Sequence, residues 1–146
     1  MSKLYLIVKL AGELVAFPAS AVDSVVTLDD VTTVPHAAPH VAGLSALRSH
    51  PLTVIDCARA LGLDETRPAG GSRFGVVVTL DGHLYALDVN EVHDVVEATG
   101  DPEAVPVDLG AQWGRVGSGM IETVHGAMLV IDLAEMIAGP SGKQAA

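Results

Sequence analysis

The first half of this chain is repeated in its second half at an offset of 70 residues. The segment Val8–Val26 aligns with Val78–Val96 without a gap, and 8 of the 19 aligned positions are identical. Composition alone gives roughly one or two identities over that length. Two shorter matches follow at slightly larger offsets: Val34-Pro35 with Val105-Pro106, and Val54-Ile55-Asp56 with Val130-Ile131-Asp132. We therefore expect two similar folding units that meet along a seam.

Length and composition indicate a soluble chain with one shared core. At 146 residues the chain suits one compact domain or two small lobes that share a buried contact. Lobes of about 60–70 residues are only marginally stable alone, so we expect them to pack together. Apolar residues make up 49% of the chain but aromatic residues only 3%, so Val, Ala and Leu form the core. Charged or turn residues interrupt every apolar stretch before about 18 residues, and no signal peptide is visible.

The charge and the cysteine content exclude several classes of function. The net charge is −10, from 8 Lys and Arg against 18 Asp and Glu, which argues against nucleic acid and anionic lipid as partners. A single cysteine, Cys57, excludes an intrachain disulfide and suits a reducing cytosol. Because Cys57 follows the apolar pair Val54-Ile55, we expect an inert core thiol.

Each half reads as a hairpin, a connector, a second hairpin and a short helix. In the second half, Asp81-Gly82 separates two apolar runs, a strong hairpin signal because Gly tolerates the positive φ of a tight turn. Asp56 and Asp132 each end a strand and precede a helical pattern, so both are expected N-caps. About five short strands per half predict a mainly β fold of two five-stranded barrels.

The repeat also predicts where the two barrels lie along the chain. The first is expected mostly within residues 11–66 and the second mostly within 73–138, with the opening strand, 4–10, a candidate for exchange between them. The tail, 139–146, is expected to be disordered.

The candidates for chemistry lack the context that catalysis or metal binding needs. His36 and His40 have the i, i+4 spacing of a helical zinc site, but Pro39 disrupts a helix through this segment. Ser118 lies in Gly-Ser-Gly without the full frame of a nucleophile elbow, and His125 reads as a turn residue. We therefore expect no catalytic residue, no metal site and no cofactor.

The remaining unusual feature is an arginine at a predicted hairpin tip. Arg48 interrupts the mostly apolar stretch 41–56, in a chain with only 8 basic residues. An arginine can make bidentate contacts that a lysine cannot. The alternative interpretation is a charge that merely solubilises the turn.

Taken in order, these motifs resemble the CheW family of chemosensory scaffold proteins over about residues 3–138. The motifs that carry the resemblance are Leu10-Ala11-Gly12-Glu13, Val22-Asp23-Ser24-Val25, Val34-Pro35, Pro39-His40-Val41-Ala42-Gly43, Leu47-Arg48, Pro51-Leu52-Thr53-Val54-Ile55-Asp56 and the run from Gly82 to Val89. Three positions depart from the family pattern: Pro18, Ser49, where the family usually has Gly, and His50.

The resemblance implies a CheW-like domain of two packed, five-stranded, SH3-like barrels with short helices. It also implies a cytoplasmic, non-catalytic adaptor, recruited to membrane-associated arrays, that couples transmembrane chemoreceptors to a CheA-type histidine kinase. The implied partners are the cytoplasmic tip of a methyl-accepting receptor and the regulatory domain of the kinase. The residues expected to bind the receptor helix are Val22, Ser24, Val25, Val26, Leu47 and Arg48, with Val22, Val25, Val26 and Leu47 forming an apolar floor.

Other functions remain open at this stage. The same fold is compatible with a scaffold of a divergent chemosensory system that controls surface motility or development. A small-ligand or metal-binding sensor would use the loop of His36 and His40, and a small hydrolase would use Ser118 and His125.

Overall fold

The computed structural model describes residues 2–10, 12–28, 31–61, 73–99, 101–104 and 111–139. Ten strands and three short helices lie within these residues, together with a single 3-10 turn at Ala19–Ala21. The strands are β1 (Ser2–Leu10), β2 (Glu13–Pro18), β3 (Val22–Leu28), β4 (Val41–Leu47), β5 (His50–Asp56), β6 (Arg73–Leu80), β7 (His83–Val89), β8 (Glu91–Thr99), β9 (Gly117–Thr123) and β10 (Gly126–Ile131). The helices are α1 (Cys57–Ala60), α2 (Ala111–Val116) and α3 (Leu133–Ala138).

The strands form two five-stranded sheets. Sheet one has the order β8-β1-β2-β10-β9, and sheet two has the order β3-β6-β7-β5-β4. Within each sheet one pair is parallel, β2 with β10 and β5 with β7, and the other pairs are antiparallel. The prediction of a mainly β fold with two five-stranded units and short helices is confirmed. The described ladders stop at the edge strands of each sheet, so the barrels are packed, curled sheets rather than closed ladders.

The two sheets do not follow the two halves of the chain. The boundaries expected from the repeat, 11–66 and 73–138, keep β2 with the first half and β6 and β7 with the second, and only the opening strand, 4–10, is a candidate for exchange. In the structure the whole first hairpin of each half lies in the sheet formed mainly by the other half. Strands β1 and β2 lie in sheet one with β8, β9 and β10, while β6 and β7 lie in sheet two with β3, β4 and β5. Each sheet thus contains strands from both repeats. The tail 140–146 lies outside the described residues.

Three groups of buried side chains hold the sheets. The sheet-one core includes Tyr5, Ile7, Ala16 and Met128. The sheet-two core consists of Leu28, Leu52, Val54, Val77 and Ala86. A third and larger group, the seam core, lies between the sheets and is formed by Leu6, Val8, Leu10, Val15, Phe17, Ile55, Cys57, Ala60, Leu61, Val76, Val78, Leu87, Val89, Val116, Leu129, Ile131 and Met136.

The central strands are buried on both faces. In β1, Tyr5 and Ile7 point into the sheet-one core, and Leu6 and Val8 point into the seam core. Neighbouring residues of a strand point to opposite faces. Leu4–Leu10 therefore reads as a nearly continuous apolar run rather than an alternating one.

The short helices begin as the sequence predicts. The carboxylate of Asp56 accepts a hydrogen bond from the amide of Arg59, and Asp132 accepts from the amides of Ala134 and Glu135. Helix α2 was not predicted; Trp113 and Val116 pack against the seam core, so tertiary contacts rather than helix propensity hold it. No helix within the described part of the chain is long and apolar enough to cross a membrane.

Candidate functional site

The residues considered for metal binding lie in separate environments. His36 is exposed and has a φ of 65°. His40 is buried, and its Nε2 donates a hydrogen bond to the carbonyl oxygen of Ile137 at 2.7 Å. Nε2 is the donor because a carbonyl oxygen can only accept. Among the described residues, no group of three or more His, Cys, Asp and Glu side chains is arranged to hold a metal ion.

The two residues considered for hydrolysis, Ser118 and His125, each contact other groups. The Ser118 hydroxyl donates to the carbonyl oxygen of Val130 at 3.3 Å. His125, in the turn between β9 and β10, lies 3.9 Å from the carboxylate of Asp94 on β8. This contact joins the two edges of sheet one and shows that the sheet curls. It does not join Ser118 to a base.

A bulge at Asp23 changes which residues of strand β3 share a face. The pairing with β6 shifts between Val22 and Ser24, and the Asp23 carboxylate accepts a hydrogen bond from the Thr79 hydroxyl at 2.6 Å. A bulge inserts one unpaired residue, so the alternation of faces changes phase there. Val22 and Val25 consequently lie on the same face although they are three residues apart.

That face of β3 is turned toward sheet one. Val22 and Val25 pair with Val78 and Val76, which both belong to the seam core. Val22 is half-buried against this core, whereas Val25 is 42% exposed. Val25 therefore extends the apolar seam to the surface.

The other predicted receptor-binding residues of this region lie on the inner face of sheet two. Ser24 pairs with Val77 of the sheet-two core, while Val26 and Leu47 pack against that core. The four residues of the expected apolar floor are thus divided between two faces. Val22 and Val25 border the seam, and Val26 and Leu47 fill the inside of sheet two.

Arg48 lies at the tip of the β4–β5 hairpin and is exposed. Leu47 pairs with His50, so the loop consists of Arg48 and Ser49 alone. Successive strand pairings form one row of residues across sheet two. This row consists of Val22, Val78, Tyr85, Thr53 and Leu44. Arg48 lies beyond this row, at the end of the sheet where β3 begins.

Strand β8 repeats the arrangement of β3 in sheet one. Val95 pairs with Leu6, and Val92 pairs with Val8; both partners belong to the seam core. Val92 is half-buried against this core, while Val95 is 55% exposed. Val95 and Val25 are also equivalent residues of the sequence repeat, so the two exposed valines follow from one motif used twice.

Leu4 is a further exposed apolar residue on the seam side of sheet one. It lies two residues before Leu6 on β1, hence on the same face, and is 55% exposed. We call the five residues Leu4, Val22, Val25, Val92 and Val95 the seam rim. The reasoning from sequence alone missed Leu4, Val92 and Val95, although the repeat maps Val22 and Val25 onto the last two.

Four of the five seam-rim residues lie on the open edge strands of the two sheets, β3 and β8. The opposite edges are covered by single backbone bridges, Thr32 with Leu44 on β4 and Glu103 with Met120 on β9. Within the described residues, β3 and β8 have no such cover on their outer sides. An exposed edge flanked by apolar side chains is a common place for a partner to bind.

Comparison with known proteins agrees with this architecture. The family model of the CheW-like domain matches residues 4–140 of the chain. Among solved structures, the scaffolding protein TtCheW from Thermoanaerobacter tengcongensis gives a TM-score of 0.78 at 24% sequence identity, over 91% of this chain and 86% of that chain. This similarity shows the same fold. No curated protein sequence matches the chain. Because the family model spans nearly the whole sequence, the chain belongs to the CheW-like domain family.

Proposed function

We propose that the protein is a non-catalytic chemotaxis adaptor that couples transmembrane chemoreceptors to a CheA-type histidine kinase. It acts in the cytoplasm, at membrane-associated receptor arrays. Membership of the CheW-like domain family supports this role. The single structural observation that carries it is the exposed apolar seam rim on the two open sheet edges. Signal passes because both partners are held together, not because this chain transforms a substrate.

The receptor contact is a helix lying along the seam rim. Val25 and Val95 expose apolar surface beside the seam core. A helix with apolar residues three and four positions apart matches such a surface and removes it from water. Complete burial of one valine or leucine contributes about 1.5–3 kcal/mol.

The remaining predicted receptor-binding residues have supporting or polar roles. Val26 and Leu47 anchor β3 and the β4–β5 hairpin to the sheet-two core. Ser24, on the same face as Val26, adjoins them. Arg48, at the end of sheet two, donates charge-assisted hydrogen bonds to the receptor. The kinase regulatory domain binds a different surface.

Matched substitutions of exposed valines test the receptor contact. Val25→Asp and Val95→Asp each put a charge on the seam rim, whereas Val124→Asp makes the same change at a valine that is 86% exposed in the β9–β10 turn. Binding is measured by calorimetry with the cytoplasmic fragment of a methyl-accepting receptor from the same organism. The two rim variants should bind roughly tenfold or more weakly, and the control within about twofold of the parent.

Two further measurements complete the experiment. Circular dichroism and melting temperature establish that each variant is folded, and pull-down with the regulatory domain of the organism's CheA-type kinase should remain positive. Parent-like receptor binding by both folded rim variants would show that the seam rim is not the receptor site.

A further inference from the structure

A cleft of about 680 Å³ opens at one end of the inner face of sheet one. Tyr5 and Val130, two residues of the sheet-one core, line it. Pro18 pairs with Tyr5 across β1 and β2 and therefore lies on the same face. Lys3 stands two residues before Tyr5, where β1 begins, so it lies on that face too. The volume is within the range of small-molecule sites.

Pro102, in the connector after β8, forms another wall of the cleft. The backbone bridge between Glu103 and Met120 holds this connector against β9. Gly119 on β9 leaves room for the proline, since a Cβ built on Gly119 would lie 2.6 Å from the Cβ of Pro102. The wall is thus fixed by backbone contacts, and the cleft is formed before any ligand enters it.

The two sheets differ at the equivalent positions of the sequence repeat. The offset of 70 residues maps Tyr5 and Ala98 of sheet one onto Gly75 and Leu28 of sheet two. In sheet two the leucine covers the glycine, because a Cβ built on Gly75 would lie 3.1 Å from both δ-carbons of Leu28. In sheet one the large residue is a tyrosine and the covering residue is only an alanine. The phenol is therefore a feature of sheet one and not of the repeat.

The hydroxyl of Tyr5 is a polar group without a protein partner. The residue is only 4% exposed. Within the described part of the protein its hydroxyl makes no hydrogen bond, and it is not sealed off from solvent. Tyrosine hydroxyls that are buried normally have a hydrogen-bond partner. Because Tyr5 lines the cleft, its hydroxyl is available to a molecule that enters there.

The charge of the cleft is opposite to that of the whole chain. Lys3 is the one charged side chain among its described lining residues, although the chain carries a net charge of −10. Its ammonium group is exposed, and no ion pair of this group is found among the described residues. Residues two apart on a strand are separated by about 6.6 Å. The two oxygens of one carboxylate can therefore accept hydrogen bonds from the Lys3 ammonium and the Tyr5 hydroxyl together.

We propose that this cleft binds a small organic acid, a monocarboxylate with an apolar body. Lys3 and the Tyr5 hydroxyl hold the carboxylate, while Pro18 and Pro102 contact the apolar body. The site is separate from the seam rim, because Lys3 and Tyr5 lie on the face of β1 opposite to Leu4. The inference is therefore independent of the proposed receptor contact.

Phenylpropionate is a suitable probe, and phenylpropanamide is its neutral counterpart of the same shape. The full chain is titrated with each compound, and amide NMR spectra report the affinity and the residues affected. Phenylpropionate should bind with a dissociation constant of about 0.1–3 mM, and the amide at least about threefold more weakly. The shifts should be centred on Tyr5, Ser20 and Ser118, which line the cleft.

The two lysines of β1 and the two tyrosines of the chain provide matched variants. Lys3→Gln should weaken phenylpropionate binding roughly two- to fivefold, and Tyr5→Phe, which keeps the ring, roughly three- to tenfold. Lys3→Gln should leave binding of the neutral amide unchanged, because the amide carries no charge for Lys3 to attract. Lys9→Gln and Tyr85→Phe remove the same groups elsewhere and should stay within about 1.5-fold of the parent.

Melting temperatures establish that each variant is folded. Shifts that do not saturate by about 20 mM phenylpropionate, or equal affinities for the acid and the amide, would overturn the inference. So would a folded Lys3→Gln or Tyr5→Phe variant that binds phenylpropionate as its control does. The inference stands only if the acid binds at the cleft and both variants weaken it while Lys9→Gln and Tyr85→Phe do not.

Discussion

Arg48 and Ser49 form the whole loop between β4 and β5, and both have a positive φ, 51° and 70° respectively. Two consecutive left-handed residues are the backbone of a type I′ turn, which matches the twist of the strands it joins. Asn-Gly and Asp-Gly are the usual pairs at these positions, and Asp81-Gly82 is the pair used between β6 and β7 of the same sheet. An L-residue with a side chain is disfavoured there.

Ser49→Gly should therefore stabilise the protein. Gly adopts the positive φ without a Cβ clash, and this gain exceeds the extra chain entropy of the unfolded state, for a net effect of about 0.5–1 kcal/mol. The melting temperature should rise by roughly 1–4 °C. Ser45→Gly is the matched control, because Ser45 lies within β4, where Gly weakens a strand. Equal destabilisation by both substitutions would contradict the strained turn.

Arg48→Ala should weaken receptor binding without changing stability. A charge-assisted contact at the edge of an interface contributes about 1–3 kcal/mol, so the dissociation constant should rise roughly ten- to a hundredfold. Arg48→Lys should recover only part of the affinity, because the planar fork is lost. Pull-down and calorimetry with a receptor fragment measure this. A folded Arg48→Ala variant that binds like the parent would identify Arg48 as a solvated turn charge.

Local features of the fold were accessible from sequence, and long-range pairing was not. The Asp-Gly hairpin and the helix caps at Asp56 and Asp132 depend on residues close together along the chain, and all are found. The repeat shows that two similar hairpins exist. It does not show with which half's strands each hairpin pairs, because both halves contain similar apolar strands that could lie next to β2. The pairing of β2 with β10 is fixed by the seam core, to which distant segments contribute.

The sequence likewise did not reveal which residues share a face of β3, because one extra residue changes the alternation. Without a bulge, strict alternation places Val22, Ser24 and Val26 together. The extra residue at Asp23 moves Val25 to the side of Val22 instead. Nothing in the composition of this segment identifies Asp23 as the bulge; its hydrogen bond with Thr79 appears only when β6 is alongside.

Arg115 should be important for stability because it joins helices from both halves. Its guanidinium donates to the carbonyl oxygens of Ala60 in α1, at 2.7 Å, and Glu135 in α3. The Arg115 side chain is only 16% exposed. Arg115→Ala should cost about 2–3 kcal/mol, since it removes charge-assisted bonds and leaves the Ala60 carbonyl without that donor.

Denaturant unfolding measures this effect, followed by circular dichroism and by the fluorescence of Trp113, the chain's single tryptophan. Arg115→Lys should recover no more than about half of the loss, because one ammonium group cannot span both carbonyls. Arg48→Ala serves as the control for removal of an exposed arginine. If Arg115→Ala lowers the free energy of unfolding no more than Arg48→Ala does, the two hydrogen bonds of Arg115 do not stabilise the protein.

The end of α3 depends on a close fit between His40 and Gly139. Gly139 has a φ of 88°, and a Cβ built there would lie 2.4 Å from a ring atom of His40. The ring is held in place by its hydrogen bond to Ile137. Gly139→Ala therefore meets both a disfavoured backbone and a steric clash, and it should destabilise the protein by about 2–4 kcal/mol.

A double-mutant cycle separates the two causes. His40→Ala removes the ring, so Gly139→Ala should cost at least about 1 kcal/mol less in that background than in the parent, leaving only the backbone strain. Gly126→Ala is a suitable control, because Gly126 also has a positive φ, 103°, but no heavy atom lies within 4 Å of its added Cβ. Unfolding free energies of the variants provide the comparison. An equal cost of Gly139→Ala with and without His40 would show that the backbone alone requires glycine at this position.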